Sequence, residues 1–568
     1  MARKGVAMTA TAHGAAPAAR ANGFWRRQLD HYPDTRPRMT YLAIVVIATI
    51  ALYYANYIPG AVSPSIIAHY GMTFNYYVYI IVVANAVGAF GSLAAGLADR
   101  WGRANLVAYG LVIVGLLVLF GVPNAPNSFT YGLLFAIVGV VEGVILVATP
   151  ALVRDFSPQL GRASAMGFWT LGPVLGSLVV AVVSSNTLSH LTAWQDQFII
   201  CGIVVLVVAA LAVAGLRELS PQLRDQLMVS MHDRALIEAR ARGLDVETLT
   251  HRPWRQMLRL DIVGSAFAIS VFLLIYYTAV GFFTVYFTTL HGFSLSTANS
   301  IGNWFWAFDA AALIIIGIIS DRVGVRKPFM VAGAVGTIVM TIIFLNLGKG
   351  TAYATFAVVI SILAVCLAIA YAPWMASFTE TVEKHNPALT ATGLAVWGWI
   401  IRAVIAISIL ILPSVVSSMT PLVTYGSSVQ TLSVRYAPEL ATLKAIDPAT
   451  LGALQANPGN TAAAAKAAGE VAQAFGISPA AAAGRLAQLA TVPKADLAFL
   501  NAHGTQVVSA AAAAPGQWKD WWWVCVGGEV VFIPLILLMA GRWSPRRARE
   551  DAAEHERLVQ EELARLQA

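Results

Sequence analysis

Two stretches decide the architecture: Gly96-Leu97-Ala98-Asp99-Arg100-Trp101-Gly102-Arg103, and Gly317-Ile318-Ile319-Ser320-Asp321-Arg322-Val323-Gly324-Val325-Arg326-Lys327. Each is a short charged break between long apolar runs, and the Asp-Arg-x-Gly core recurs at an offset of 222. Upstream, Tyr53-Tyr54 recurs as Tyr276-Tyr277. Downstream, Pro158 followed by Trp169 recurs as Pro387 followed by Trp397, at an offset of 229 for the prolines. Near the end a constant shift of 324 superposes Trp194/Trp518, Asp196/Asp520, Cys201/Cys525, Ser220/Ser544 and Pro221/Pro545. The chain is therefore an internal duplication, and the jump from 229 to 324 means that about 95 residues were inserted late in the second copy.

Composition says where such a chain lives. It is 58% hydrophobic and 12% charged. Soluble domains run near 45–50% apolar and about 25% charged, so a soluble enzyme and a disordered chain are both excluded. Apolar runs fall at 41–63, 74–97, 104–122, 129–152, 165–185, 197–216, 262–288, 296–319, 328–347, 353–377, 390–415 and 520–541. Each approaches the roughly 20 residues that a helix needs to cross the hydrocarbon core, and barrel strands would be shorter and alternating. The expected fold is all-α, with twelve transmembrane helices in two six-helix pseudo-repeats.

Lys and Arg orient the bundle. Of the 37, 29 fall in the tails and loops on the side of the termini, and the five short loops on the other side carry only Lys349. Both termini are expected to be cytoplasmic, and the net charge of +8 reflects topology, with no nucleic-acid partner. The expected organisation is a cytoplasmic tail over 1–40, the first bundle over 41–216 and a cytoplasmic linker over 217–261, with an amphipathic helix over 221–243 that Ser220 caps and Pro221 starts. Helices 7–11 follow over 262–415, then an extracytoplasmic Ala-rich insert over 416–517, helix 12 over 518–541 and a cytoplasmic C-terminal helix over 542–568. Cys201, Cys366 and Cys525 each lie in an apolar run, and the ten His show no ligand spacing, so no disulfide framework, metal site or cofactor is expected. No Gly-x-x-x-x-Gly-Lys-Ser/Thr loop supports ATP-driven work. No clustered nucleophiles or ligands support an enzyme.

The paired loops resemble the Gly-x-Leu-Ala/Ser-Asp-Arg-x-Gly-Arg-Arg/Lys signature of the major facilitator superfamily, which lies between helices 2 and 3 and again between 8 and 9. The resemblance covers about 41–415 and 518–541. It implies secondary transport by alternating access, with Gly96, Asp99, Arg100, Gly102, Arg103, Gly317, Asp321, Arg322 and Gly324 as a conformational latch. It also implies a cavity lined by helices 1, 4, 7 and 10, with helices 3, 6, 9 and 12 peripheral.

Three ionisable residues reach membrane depth, where charge is costly and marks candidate function. Glu142 lies 12 residues from Arg154 and Asp309 lies 12 residues before Asp321, each roughly 18 Å from the terminal-side surface at 1.5 Å per residue. Half the hydrocarbon core is about 15 Å. Arg402 sits at similar depth in span 11. Hydrocarbon penalises a bare carboxylate, the property a proton carrier needs, so Glu142 and Asp309 are the proton-coupling candidates. Arg402 stays charged and must meet an acid, a carbonyl or an anionic solute. Around them Tyr53, Tyr54, Asn56, Tyr57, Tyr276, Tyr277, Asn303, Trp306, Tyr371, Trp374 and Trp397 offer apolar bodies with polar tips, suited to an amphiphilic or aromatic carboxylate. Glu529 on span 12 is expected to serve packing.

One departure from family exporters and one likeness to them leave the direction of transport open. Gly139-Val140-Val141-Glu142-Gly143 lacks the exporters' Arg and puts an acid in place of Gln, which favours uptake. Gly167-Phe168-Trp169-Thr170-Leu171-Gly172-Pro173-Val174-Leu175-Gly176 approximates the exporters' helix-5 element, which favours efflux. The expectation is a proton-coupled carrier of a small organic solute in the plasma membrane. The alternatives are drug or metabolite efflux by proton antiport, and a non-transporting receptor or scaffold that uses the insert to bind an extracytoplasmic partner.

Overall fold

The structure, a computed structural model, describes residues 27–92, 101–156, 161–220, 222–223, 253–386, 389–457 and 459–567. Among these, eleven helices are long and apolar enough to cross a bilayer, and Leu171–Thr187 adds a shorter apolar stretch. Spans 1–6 run over Thr35–Tyr70, Phe74–Ser92, Arg103–Leu116 (continued by tighter and wider turns to Asn124), Ser128–Phe156, Gly161–Thr187 and Trp194–Gly215. Span 7 breaks at Leu273 into Leu260–Phe272 and Leu274–His291. Spans 8–11 are Leu295–Val323, Lys327–Leu345, Tyr353–His385 and Thr390–Val415. The linker helix expected over 221–243 lies outside the described residues apart from 222 and 223.

The spans present Ile, Val and Leu outward, as at Ile314, Ile315, Ile318, Val335 and Val339. In water such a surface would drive aggregation; in a bilayer it is the solvated face. Between helices, lipid gives no hydrophobic drive, so close backbone approach matters. Spans 2 and 4 meet along Gly88 and Gly91 on one side and Gly139 and Gly143 on the other. A Cβ on Gly143 would run into the Gly88 carbonyl, and one on Gly88 into the Gly139 carbonyl. Gly172 and Gly176 of the span 5 element lie against Thr49 and Tyr53 of span 1, a packing seam.

The halves are joined near the ends of the spans remote from the chain termini. Asn299 Nδ2 donates to the Ala61 carbonyl at 3.0 Å, Ser296 Oγ to the Ser185 carbonyl at 2.6 Å, and Asn303 Nδ2 to Ser185 Oγ at 3.0 Å. Phe74 and Phe282 meet edge to face at 5.8 Å between centroids.

The segment between spans 11 and 12 forms short helices over Met419–Arg435, Ala437–Lys444, Pro448–Ala456, Thr461–Phe475 and Pro479–Ala490. Asp447, Asn460 and Ser478 cap three of them with side-chain oxygens, and Gly476 ends one in the left-handed region. The sequence expects span 12 to begin at 520; instead one helix runs from Lys494 to Leu535. The Ala510–Ala514 run is strongly helix-forming, and Pro515 interrupts the backbone ladder without ending the helix. A last helix spans Pro545–Gln567.

Candidate functional site

A cavity of about 290 Å³ lies between the two halves, at the small end of the range for small-molecule sites. Span 1 contributes Tyr53, Asn56 and Tyr57, whose i, i+3, i+4 spacing puts them on one face. Glu142 comes from span 4, Tyr276 and Tyr277 from span 7, Asp309 from span 8 and Tyr371 from span 10. Span 11 adds a stripe through Trp397, Ile401, Arg402, Ile405 and Ile409. The lining is drawn from spans 1, 2, 4, 5, 7, 8, 10 and 11.

The two carboxylates sit in different settings. Glu142, 7% exposed, accepts a hydrogen bond from Asn56 Nδ2 at 2.9 Å, which ties span 4 to span 1. Asp309, 3% exposed, lies near Tyr276 and Tyr371, and among the described residues no side chain hydrogen-bonds to it. Arg402 is exposed into the cavity and close enough to Glu142 for their charges to interact. No carboxylate among the described residues lies within the 4.0 Å of an ion pair with it. A guanidinium with donors free, two acids and a ring of phenols thus surround one space. Such a site can bind an anion, hydrogen-bond polar groups and stack on an aromatic or apolar body.

Four candidates lie outside the lining. Tyr54 points to the other face of span 1 and is fully buried. Trp374 stacks on Phe378 at 5.0 Å and sits behind two lining residues, Trp397 at 5.4 Å and Tyr371 at 6.1 Å between centroids. Trp306 packs edge-on against Tyr276 at 5.1 Å and faces a smaller gap between spans 1, 5, 7 and 8. Asn303 is engaged with Ser185 between spans 8 and 5. Conversely, Asn85 of span 2 lines the cavity; its Nδ2 bonds the Ile81 carbonyl at 2.8 Å. Its signal in the sequence was an amide inside an apolar run. Glu529 is fully buried on span 12 and accepts from Thr341 Oγ1 at 2.8 Å, away from the cavity.

In the described parts of the paired loops, Gly102 before span 3 and Gly324 after span 8 both have positive φ, 89° and 76°, where a side chain would be strained; their ψ differ, 137° and 14°. Arg103 reaches Asp155 at the end of span 4 at 2.7 Å. Arg326 reaches Asp321 at 2.6 Å and Glu380 at the end of span 10 at 3.3 Å. Arg322 is exposed beside Asp321, and Gly317 lies within span 8. Gly96, Asp99 and Arg100 lie outside the described residues. In the first half, Glu218 adds a carboxylate that accepts from the Arg103 backbone N–H at 2.6 Å and caps span 3. A lone acid after a span gave the sequence reading no sign of this.

Two bundles of lipid-facing helices around a shared polar cavity define a membrane transporter, not an enzyme. A sequence profile described as Major Facilitator Superfamily matches residues 45–406, and the chain belongs to that family. Its fold is similar to a bacterial homologue of the human lysosomal transporter Spinster in inward-facing forms. The unoccupied form gives a TM-score of 0.52 at 15% identity over 90% of this chain and 100% of that one. Among curated proteins it is 25% identical over 160 residues to the MFS transporter asaE of Aspergillus flavus, covering 26% of this chain and 35% of the relative. It is 28% identical over 141 residues to the quinolone resistance protein NorB of Staphylococcus aureus, covering 24% and 29%. The chain thus spans about a third of the length of the curated relatives it matches.

Proposed function

We propose that the chain is a proton-coupled carrier of a small amphiphilic organic anion, with Arg402 as the anion contact and Glu142 and Asp309 as proton sites. The observation that carries this reading is the cavity shared by those three residues and by tyrosines of both halves. Linkage gives the sign of coupling. A solute anion at Arg402 lies in the field of Glu142, so anion and proton favour each other's binding and travel together. A cationic solute would compete with the proton and exchange against it.

That difference separates the second reading, efflux by antiport, which the name of the NorB relative and the span 5 element favour. In both readings the Lys and Arg distribution favours termini in the cytoplasm and the insert outside, in the plasma membrane. The insert serves as a cap over the outer ends of the spans.

A thermal-shift screen of the purified chain against organic acids and cationic drugs at two pH values identifies a solute. In proteoliposomes, Glu142→Gln is then expected to abolish flux driven by a pH gradient while solute exchange persists. Asp309→Asn is expected to alter the pH dependence of exchange. Unchanged pH dependence in both variants would overturn proton coupling at these sites.

A further inference from the structure

The terminal side of the second half carries an unbalanced cluster of cations away from the cavity. Lys327 opens span 9 and is only 7% exposed, yet among the described residues its ammonium has no hydrogen bond or ion pair. It lies over the ring of Trp543, 5.9 Å from the centroid. Lys384, at the end of span 10, and Arg542, just past span 12, are close enough for their charges to act on it. The ends are held in register: Ser377 Oγ donates to the Ala540 carbonyl at 3.0 Å, and the Ala540 N–H to Thr381 Oγ1 at 2.8 Å.

Two carboxylates nearby are engaged elsewhere. Arg542 pairs with Asp551 at 2.6 Å and holds that carboxyl below its usual range through their hydrogen bond. Glu380 turns to Arg326. Lys327 therefore sits where a cation is least welcome. It occupies the positive N-terminal end of a helix, beside two further cations, with most of its stem buried. The missing partner is an anion.

We propose that this corner binds the phosphate of an anionic phospholipid. A lipid fits better than free phosphate because the corner opens outward between two peripheral spans. Trp543 is 48% exposed and Leu537 64%, the pairing of an interfacial indole with an apolar flank that an acyl chain covers. Anchoring spans 9, 10 and 12 at one headgroup would stiffen the second half as a unit.

The test uses the full chain purified in detergent. Its melting temperature is followed on adding phosphatidylglycerol, phosphatidylcholine or inorganic phosphate, with native mass spectrometry counting retained lipid. Phosphatidylglycerol is expected to raise Tm by several degrees more than phosphatidylcholine, and Lys327→Gln to remove most of that difference. Lys384→Gln changes an exposed residue and should reduce the difference about by half. Equal protection by both lipids, or an undiminished difference in both variants, would overturn the proposal. Full protection by millimolar phosphate alone would also overturn it, by showing an anion site without lipid.

Discussion

The two halves share one design and put different chemistry into it. The offset of 229 pairs Glu142 with Tyr371 and Pro173 with Arg402, and all four line the cavity. Tyr53 and Tyr276, 223 apart, line it too. The first half places its acid on span 4 with an amide partner. The second places its acid on span 8, where no side chain among the described residues hydrogen-bonds to it, and adds the guanidinium. Duplication therefore preserved which helix faces look inward, while single substitutions at those faces decided charge. On the proposed reading, an asymmetric lining on a symmetric scaffold would give an anionic solute one way to lie, with its charged end toward Arg402 in the second half.

The sharpest contrast concerns backbone packing. Gly88, Gly139 and Gly143 in spans 2 and 4 correspond by offset to Ala310, Ala368 and Ala372 in spans 8 and 10. The first seam cannot admit a methyl group, since the Gly88 carbonyl occupies the space a Gly143 Cβ would take. Backbone cannot yield as a side-chain tip can, so Gly143→Ala should cost about 3 kcal/mol or more. Loss of the monodisperse folded species on size exclusion is the expected result. The mirror change, Ala372→Gly, should cost about 1 kcal/mol from helix propensity and leave folding intact. If both variants fold equally well, the two seams are interchangeable and the contrast is broken.

A smaller effect is expected at the lining. Arg402→Gln removes a charged donor that Pro173 shows the first half does without. Charged hydrogen bonds contribute about 1.5–3 kcal/mol, so affinity for an anionic solute should fall about tenfold to a hundredfold. An uncharged analogue should lose less than about threefold on the same scale. Isothermal titration with the matched pair reads this directly, and equal losses would remove the anion contact from Arg402.

The fold was legible because membrane physics leaves few solutions. Length, apolarity and the Lys/Arg count fix helices, and the repeated Asp-Arg-x-Gly loops fix the family and its pairing of halves. The charged residues were legible as site candidates for the same reason: Glu142, Asp309 and Arg402 stand out against hydrocarbon. Aromatic residues were harder to sort, because a Tyr or Trp is at home in a cavity, a packed core or an interface. Tyr53 and Tyr54 are neighbours in sequence, yet the 100° turn of a helix sends one inward and buries the other. Asn85 was overlooked because a neutral amide makes little break in hydropathy. The Glu218 cap depends on the chain returning across 115 residues to span 3, which no local pattern encodes.

The smallest effect tests whether the insert belongs to one half alone. It is fastened to span 12 by the continuous Lys494–Leu535 helix. Gln517 accepts from the Ser418 N–H at 2.8 Å and donates to Ser417 at 3.1 Å, and Tyr425 stacks on His503 at 3.8 Å. Its first helix also crosses to the other half, where Thr420 Oγ1 donates to Asn75 Oδ1 of span 2 at 3.3 Å. An insert that moves with the second half must break this bond whenever that side opens. An exposed hydrogen bond contributes about 0.5–1 kcal/mol, so Thr420→Ala should raise the population open on the insert side by about two- to fivefold. Spin-label distances between spans 1 and 7 at that end measure the population. Deleting the whole insert should raise it further, because the other contacts of its first helix with spans 1 and 2 go as well. Populations that stay at the wild-type value in both proteins would make the insert a passenger, and the halves would then differ only in their lining and their packing seams.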